Sequence, residues 1–356
     1  MKRVKCWWRK RCYQIWVCVV LLELWCRSLL RPGVRQQQKV FTFDFVYPPL
    51  FFRYQLTLAI VLLHAGYCVQ WVMRPGMFAR SVEFRSLWRL LTLLRIRWLL
   101  RSPADAECSS DCVLLTDQWH PRAGTSSRQV VGLDCVVRNT ERGSVMMPFW
   151  GHPEFLLHRA GEFPRGSFDT SIRVSFVGNC DASSYSMFGA IPRARAKQVI
   201  CQVLGDDVVS LSRWEDKSLL GSVAAMRILF VDRSELGLTV AEYAAVLRRS
   251  IFFLVLPGIE SYVTHSLHEC LSMGCVPVLA LHGDFGDGWI DGVNCLTYED
   301  EDALCSCLRT ALNLTEEQCS LLQQGASEQL RRHFSLDRFA NTVAGDDVSK
   351  ILVCNV

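Results

Sequence analysis

Thr264, His265, Ser266 and Glu269 fall close together in the chain, just after an apolar run (residues 251–256) closed by Pro257-Gly258. Hydroxyls and an imidazole at the opening of a helix can cap it, and the backbone N–H groups there can hold an anion. A glutamate one turn further in is an acceptor-only group on a rigid support, suited to a pair of neighbouring hydroxyls. Gly274 marks the helix end, and Val276-Pro277-Val278-Leu279 reads as a second buried strand. Strand, loop, helix and strand in this order place the groups at the mouth of a parallel sheet, which suits a nucleoside diphosphate and its ribose. The blander readings are helix capping for Thr264, His265 and Ser266, and a surface position for Glu269.

Such a mouth needs a complete α/β scaffold around it. The 356 residues are half hydrophobic and 21% charged, enough for two packed domains and against disorder. Val40 to Val46 reads as a strand, residues 51–64 as a helix and residues 68–73 as another strand. Residues 81–101 carry arginines on one side and Leu and Trp on the other, the pattern of an amphipathic helix. Further strands are expected at residues 113–116 and 135–138. A Pro/Gly-rich passage at residues 160–170 reads as a linker, and residues 172–179 open a second β/α series. That series has helices at 192–204, 240–249, 300–313 and 315–333 and a strand at 227–231. The reading is α/β, with two Rossmann-like, doubly wound domains facing a cleft. Its divisions are a basic and apolar extension (1–38), a first domain (39–165), a second domain (171–335) and a tail (336–356).

The net charge is +4, with Arg and Lys crowded into the first third. Nothing matches a nucleic-acid module, so no nucleic-acid partner is expected. Tyr13 to Leu22 is too short to span a bilayer, which needs about 20 residues. The extension reads either as a basic interfacial or signal-anchor segment that meets a membrane surface, or as a poorly ordered extension. The expected location is cytoplasmic or membrane-associated, with a Golgi-type anchor as the eukaryotic variant. The 17 cysteines lack any C-x-x-C pair, and Cys68, Cys135, Cys201 and Cys275 lie in apolar runs, as buried reduced thiols do.

The segments LPGIES, HECLSMGCVPVLA and DGVNCLTYEDEDAL together resemble the C-terminal domain of GT-B glycosyltransferases, of the family 1 and 4 type. The Thr264-His265-Ser266 triplet resembles exostosin-like members of that fold. The resemblance covers about residues 172–335; the first half shares only element order and the stretch MPFWGHP. It implies transfer of a sugar from a UDP- or GDP-sugar co-substrate to a glycan, lipid or other hydroxyl acceptor, with no bound cofactor. A sugar-nucleotide epimerase and a degenerate binding protein share the architecture.

The resemblance makes Glu269 the ribose acceptor and Thr264, His265 and Ser266 the diphosphate cradle, with Gly258 in the preceding loop. The family's earlier acid falls at Ser261, and Glu260 is displaced from it by one residue. Gly178 and Asn179 end the first strand of the second domain, where a glycine allows close backbone approach to a phosphate, or only a tight turn. Charge building on the leaving diphosphate needs a cation. Arg173, Arg193, Lys197 and Arg233 are the candidates, Arg233 first because it follows a strand, with Arg173 also a binding candidate. For the acceptor, His152 in PFWGHPEF is the candidate base or hydrogen-bonding group, with Asp117 and His120 as rivals. Tyr47-Pro48-Pro49 stands where this fold often has a glycine-rich loop. His268, His282, Asp284, Asp287 and Asp291 lack a ligand spacing, so no metal is assigned.

Overall fold

The structure, a computed structural model, describes residues 2–29, 39–45, 52–80, 84–99, 112–117, 129–134, 143–148, 150–157, 171–181, 191–211, 226–234, 236–258, 264–281, 285 and 287–353. The chain forms two compact units, Met1–Pro148 with Ser335–Asn355, and Phe149–Phe334 with Val356. Both are Rossmann-like α/β units with wholly parallel sheets.

Unit 1 contains α1 (Lys2–Leu29), β1 (Val40–Asp44), α2 (Phe52–His64), β2 (Cys68–Val72), α3 (Pro75–Arg80), α4 (Phe84–Leu93), β3 (Arg97–Leu99), β4 (Cys112–Thr116), β5 (Gln129–Asp134) and β6 (Ser144–Met147). With β13 (Lys350–Val353), its strand order is β3-β2-β1-β4-β5-β13-β6. The pattern over residues 81–101 yields two elements, not one helix: α4 ends at Leu93, and β3 pairs with β2 through Trp98 beside Trp71. Within residues 95–98 the arginines are exposed while Ile96 and Trp98 are buried, a strand's period of two. The expected strand at 135–138 lies outside the described residues; β5 precedes it.

Three of the expected divisions change. The first domain ends at Pro148, not at residue 165, so His152 belongs to unit 2. The extension is no loose appendage: α1 buries Val17, Val20, Leu21 and Leu24, and Trp16 meets Phe84 and Trp88 edge-on. The tail is no tail either. β13 (Lys350–Val353) inserts between β5 and β6, with Ile351 opposite Leu133 and Val145. Its residues are buried throughout, as a central parallel strand requires. Among the described residues, no helix is long and apolar enough to cross a membrane.

Unit 2 contains α5 (Pro153–Leu157), β7 (Ile172–Gly178), α6 (Arg193–Val203), β8 (Val208–Leu211), β9 (Met226–Asp232), α7 (Val240–Arg249), β10 (Ser250–Leu254), α8 (His265–Ser272), β11 (Val276–Ala280), β12 (Leu296–Tyr298), α9 (Glu301–Asn313) and α10 (Glu316–His333). Helix α11 (Leu336–Val343) returns to unit 1. The sheet runs β12-β11-β10-β7-β9-β8. From β7 the chain crosses to the edge strand β8, returns to β9 beside β7, and then passes to β10, β11 and β12 on the other side. The order therefore reverses between β7 and β10, where an open α/β sheet leaves a crevice at its strand C-termini. Phe176, Phe230, Phe252, Val276 and Val278 form part of the core beneath it.

Candidate functional site

At the switch point, Arg193 opens α6 and reaches across both strand ends. Its Nε donates to the Pro257 carbonyl (2.7 Å), and its terminal nitrogens donate to Asn179 (3.2 Å) and Leu256 (3.4 Å). The guanidinium also lies 6.0 Å from the Phe176 ring centre. One cation thus ties the turn after β7 to the turn after β10. Asn179 Oδ1 accepts from the Asp181 N–H (2.8 Å), fixing the first turn. Gly178 answers first to packing: a Cβ there would lie 2.5 Å from the Phe176 ring, which is stacked on Phe230 at 4.4 Å. Gly258 follows Pro257 on the other rim.

The next strand end is charged as well. Asp232 is buried at the close of β9 and accepts from Cys180 N–H (3.3 Å), Ser234 N–H (3.0 Å) and Ser234 Oγ (2.6 Å). Lys197, one turn along α6, donates to its other oxygen at 3.4 Å. Burial alone would raise this carboxyl's pKa; the Ser234, Cys180 and Lys197 partners outweigh burial and hold it below the usual value. Burial, then the Asp232 charge, push the Cys180 thiol up to about 12.

Helix α8 carries the third group. Thr264 is its N-cap residue, yet its hydroxyl makes no cap bond and pairs with Ser266 Oγ at 2.6 Å. The expectation of a Thr264 side-chain cap is therefore corrected. His265, His268 and Glu269 share one face, as i, i+3 and i+4 positions do. All three grip consecutive backbone groups of the PFWGHP stretch. His265 Nδ1–H donates to the Trp150 carbonyl (2.6 Å). Gly151 N–H donates to His268 Nδ1 (3.0 Å), and His152 N–H donates to Glu269 Oε1 (2.7 Å). A Cβ at Gly151 would stand 2.3 Å from Glu269 Cγ, so only glycine lets this strap lie so close to the helix.

The strap fixes protonation states. His268 accepts at Nδ1, so its proton sits on Nε2, facing Ser272 Oγ at 3.3 Å. Burial, with His265 adding repulsion, lowers its pKa to about 3, so it is neutral near pH 7. Glu269 is 7% exposed and also hydrogen-bonds the phenol of Tyr243 on α7. Burial and then the Glu269 charge raise the Tyr243 pKa well above its ordinary value. Arg233 lies 5.9 Å from the Tyr243 ring centre, so Arg233, Tyr243, Glu269 and His152 form one connected chain. His152 Nδ1 accepts weakly from Glu154 N–H (3.4 Å), which favours the tautomer with its proton on Nε2.

No protein-family model and no curated protein matches the chain. Similar solved structures include a glycosyltransferase from Rickettsia africae (9% identity, 86% of this chain and 97% of that one, TM-score 0.46). They also include HepE from Anabaena in complex with UDP (9%, 86% and 98%, 0.46) and OtsA (10%, 87% and 99%, 0.49). The α/β assignment itself rests on this chain's own strand order.

Other expected site residues lie elsewhere. Arg173 is at the N-terminal end of β7, the opposite edge of the sheet. Its Nε donates to Ala311 O (2.7 Å) and a terminal nitrogen to Leu314 O, so it caps the end of α9. This corrects its place among the phosphate-binding candidates. A cavity of about 280 Å³ on that edge, lined by Asp206, Asp207, Arg227 and Arg309 among others, is likewise remote from the switch point. Asp117 belongs to unit 1, directly after β4. Asp291 Oδ1 accepts from Thr297 N–H (2.7 Å) and the Asp287 carbonyl faces His333 Nε2 (2.8 Å), both local loop contacts. Among the described residues, no group of three His, Cys, Asp or Glu could hold a metal. Tyr47, Pro48, Pro49, His120, Glu260, Ser261, His282 and Asp284 lie outside the described residues, as does Cys135.

Gly151, Asp232 and Tyr243 escape sequence reasoning, and His268 enters it only as a metal candidate. Tyr243 lies on the apolar face of α7 and reads as core; Asp232 reads as a strand end. Gly151 carried one usable signal, a glycine between a tryptophan and a histidine in a stretch already singled out.

Proposed function

We propose that this protein is a GT-B-type glycosyltransferase that takes a sugar from a nucleoside-diphosphate donor, UDP- or GDP-linked, and places it on a hydroxyl acceptor. The observation that carries the reading is Arg193 bridging the two strand ends at the unit 2 switch point, in the same sheet mouth that receives the start of α8. A cation and a helix N-terminus together favour a diphosphate there and stabilise the charge that builds on it as the sugar–oxygen bond breaks. Thr264, His265 and Ser266 then supply the cradle, and Asn179 and Gly258 its rims. Arg233, held over Tyr243, supplies the second cation.

In this reading Glu269 has two tasks. It anchors the strap through His152 N–H, and its further acceptor positions meet the ribose diol; a carboxylate offers about four. His152, with its proton on Nε2, suits donation to a sugar hydroxyl better than proton abstraction. No metal or cofactor enters these assignments.

A second reading, a nucleotide-sugar-binding protein without transfer, draws on the fact that Arg193 and Glu269 already have protein partners. Thermal unfolding with a panel of nucleoside diphosphates and sugar nucleotides tests binding: one nucleotide raises the midpoint, and Glu269→Gln reduces the rise. A flat response to every nucleotide contradicts the proposal. Nucleoside diphosphate released from the bound sugar nucleotide only when a hydroxyl acceptor is present supports transfer; binding without release favours the second reading.

A further inference from the structure

Helix α1 has two unlike faces. One is buried against unit 1 through Val17, Val20, Leu21 and Leu24. The other carries Cys12, Ile15, Cys18, Val19, Leu22 and Cys26, which recur at three- and four-residue steps and so form one stripe. All six are exposed, with Ile15 at 64%, Val19 at 58% and Leu22 at 56%. No charged residue interrupts the stripe; Glu23 and Arg27 pair with each other at 2.7 Å alongside it. Core packing does not account for this face, because the opposite side already supplies the packing.

The surrounding charge selects the occupant. The first eleven residues of the sequence hold six basic residues, Lys2, Arg3, Lys5, Arg9, Lys10 and Arg11, and no acid. On α4, which α1 packs against, Arg89 is exposed, and Arg95 and Arg97 just beyond it are exposed too. Two copies of so basic a helix repel each other, whereas an anionic surface attracts both. The helix is not apolar enough to cross a bilayer. An apolar stripe continued by a basic segment is the composition of a helix that lies in the headgroup layer.

We propose that the exposed face of α1 docks unit 1 on an anionic lipid bilayer, with Ile15, Val19 and Leu22 inserted among the acyl chains. The proposal goes beyond the glycosyltransferase reading and does not depend on it.

The test is co-sedimentation of the full chain with phosphatidylcholine vesicles, with and without phosphatidylserine. Binding is expected to the phosphatidylserine vesicles and is expected to weaken as salt rises. The combined variant Ile15→Glu, Val19→Glu and Leu22→Glu should bind on the order of a hundredfold more weakly. These side chains are exposed, so the variant should keep the wild-type unfolding midpoint. Failure of the wild type to bind phosphatidylserine vesicles would overturn the proposal, as would equal binding by the variant. Self-association without vesicles that the variant abolishes would also overturn it, by making the stripe an interface between copies.

Discussion

The mouths of the two sheets share a plan but not a chemistry. In unit 1 the switch-point strands are β1 and β4; β1 ends in an acid and β4 is followed by one. Asp44 closes β1, buried and paired with Arg74 (2.7 Å to Nε), opposite Thr116, and Asp117 comes next. In unit 2 the switch-point strands end in Gly178-Asn179 and Pro257-Gly258, bridged by the Arg193 cation. The carboxylate there, Asp232, stands one strand away and is occupied by Ser234 and Lys197. In unit 1 the cation is taken up by a carboxylate, whereas in unit 2 Arg193 is bound by backbone carbonyls beside a helix start. One topology therefore carries two different sets of strand-end residues.

The contrast can be probed by pH and by substitution. The largest effect should come from pH, acting on unit 2. His268 has a pKa of about 3 in the folded chain against 6.5 when free. Between those values only the unfolded chain takes up the proton, so the stability this imidazole contributes is full above pH 6.5. It is lost as pH falls toward 3, by about 5 kcal/mol at most. Denaturant unfolding across that range should show wild type losing more stability than His268→Gln; parallel curves would mean that the imidazole is not the buried acceptor of Gly151 N–H.

Gly151→Ala should rank next, because its methyl group would meet Glu269 Cγ at 2.3 Å. A loss of about 3 kcal/mol is expected, and wild-type stability in that variant would show that the strap does not lie against α8. In unit 1, Asp44→Asn leaves Arg74 without its carboxylate and should lower stability by about 2 kcal/mol. Calorimetry on the same variant should find nucleotide affinity unchanged; a matching loss of affinity would break the division between the mouths. The smallest change belongs to Arg173→Ala, about 1 kcal/mol from the uncapped end of α9, again with nucleotide affinity intact.

The sequence shows which elements build unit 2 more clearly than which atoms meet. Strong periodicity and end signals, such as the apolar run at 251–256 and Gly274, locate β10, α8 and β11. Where two elements adjoin, the reading merges them: arginines recur among Leu and Trp through both α4 and β3, although Arg95 and Arg97, two residues apart, share a side only in a strand. β13 is invisible for another reason. A short apolar run far along the chain gives no sign that its partners, β5 and β6, lie about two hundred residues earlier. The site divides in the same way. Glu269 and His152 stand out by residue type, but their mutual contact is a tertiary fact, and with it come Gly151 and Tyr243. Arg173 and Arg193 read alike in sequence; only the direction of β7 sends them to opposite edges.

Titration calorimetry of UDP and GDP against the wild type, Arg193→Ala and Arg173→Ala probes the proposed diphosphate seat itself. One nucleotide should bind the wild type and Arg173→Ala alike and bind Arg193→Ala at least about tenfold more weakly, with circular dichroism confirming that all three are folded. Absence of binding to the wild type, or equal affinity in all three proteins, would contradict a diphosphate seat at the unit 2 switch point.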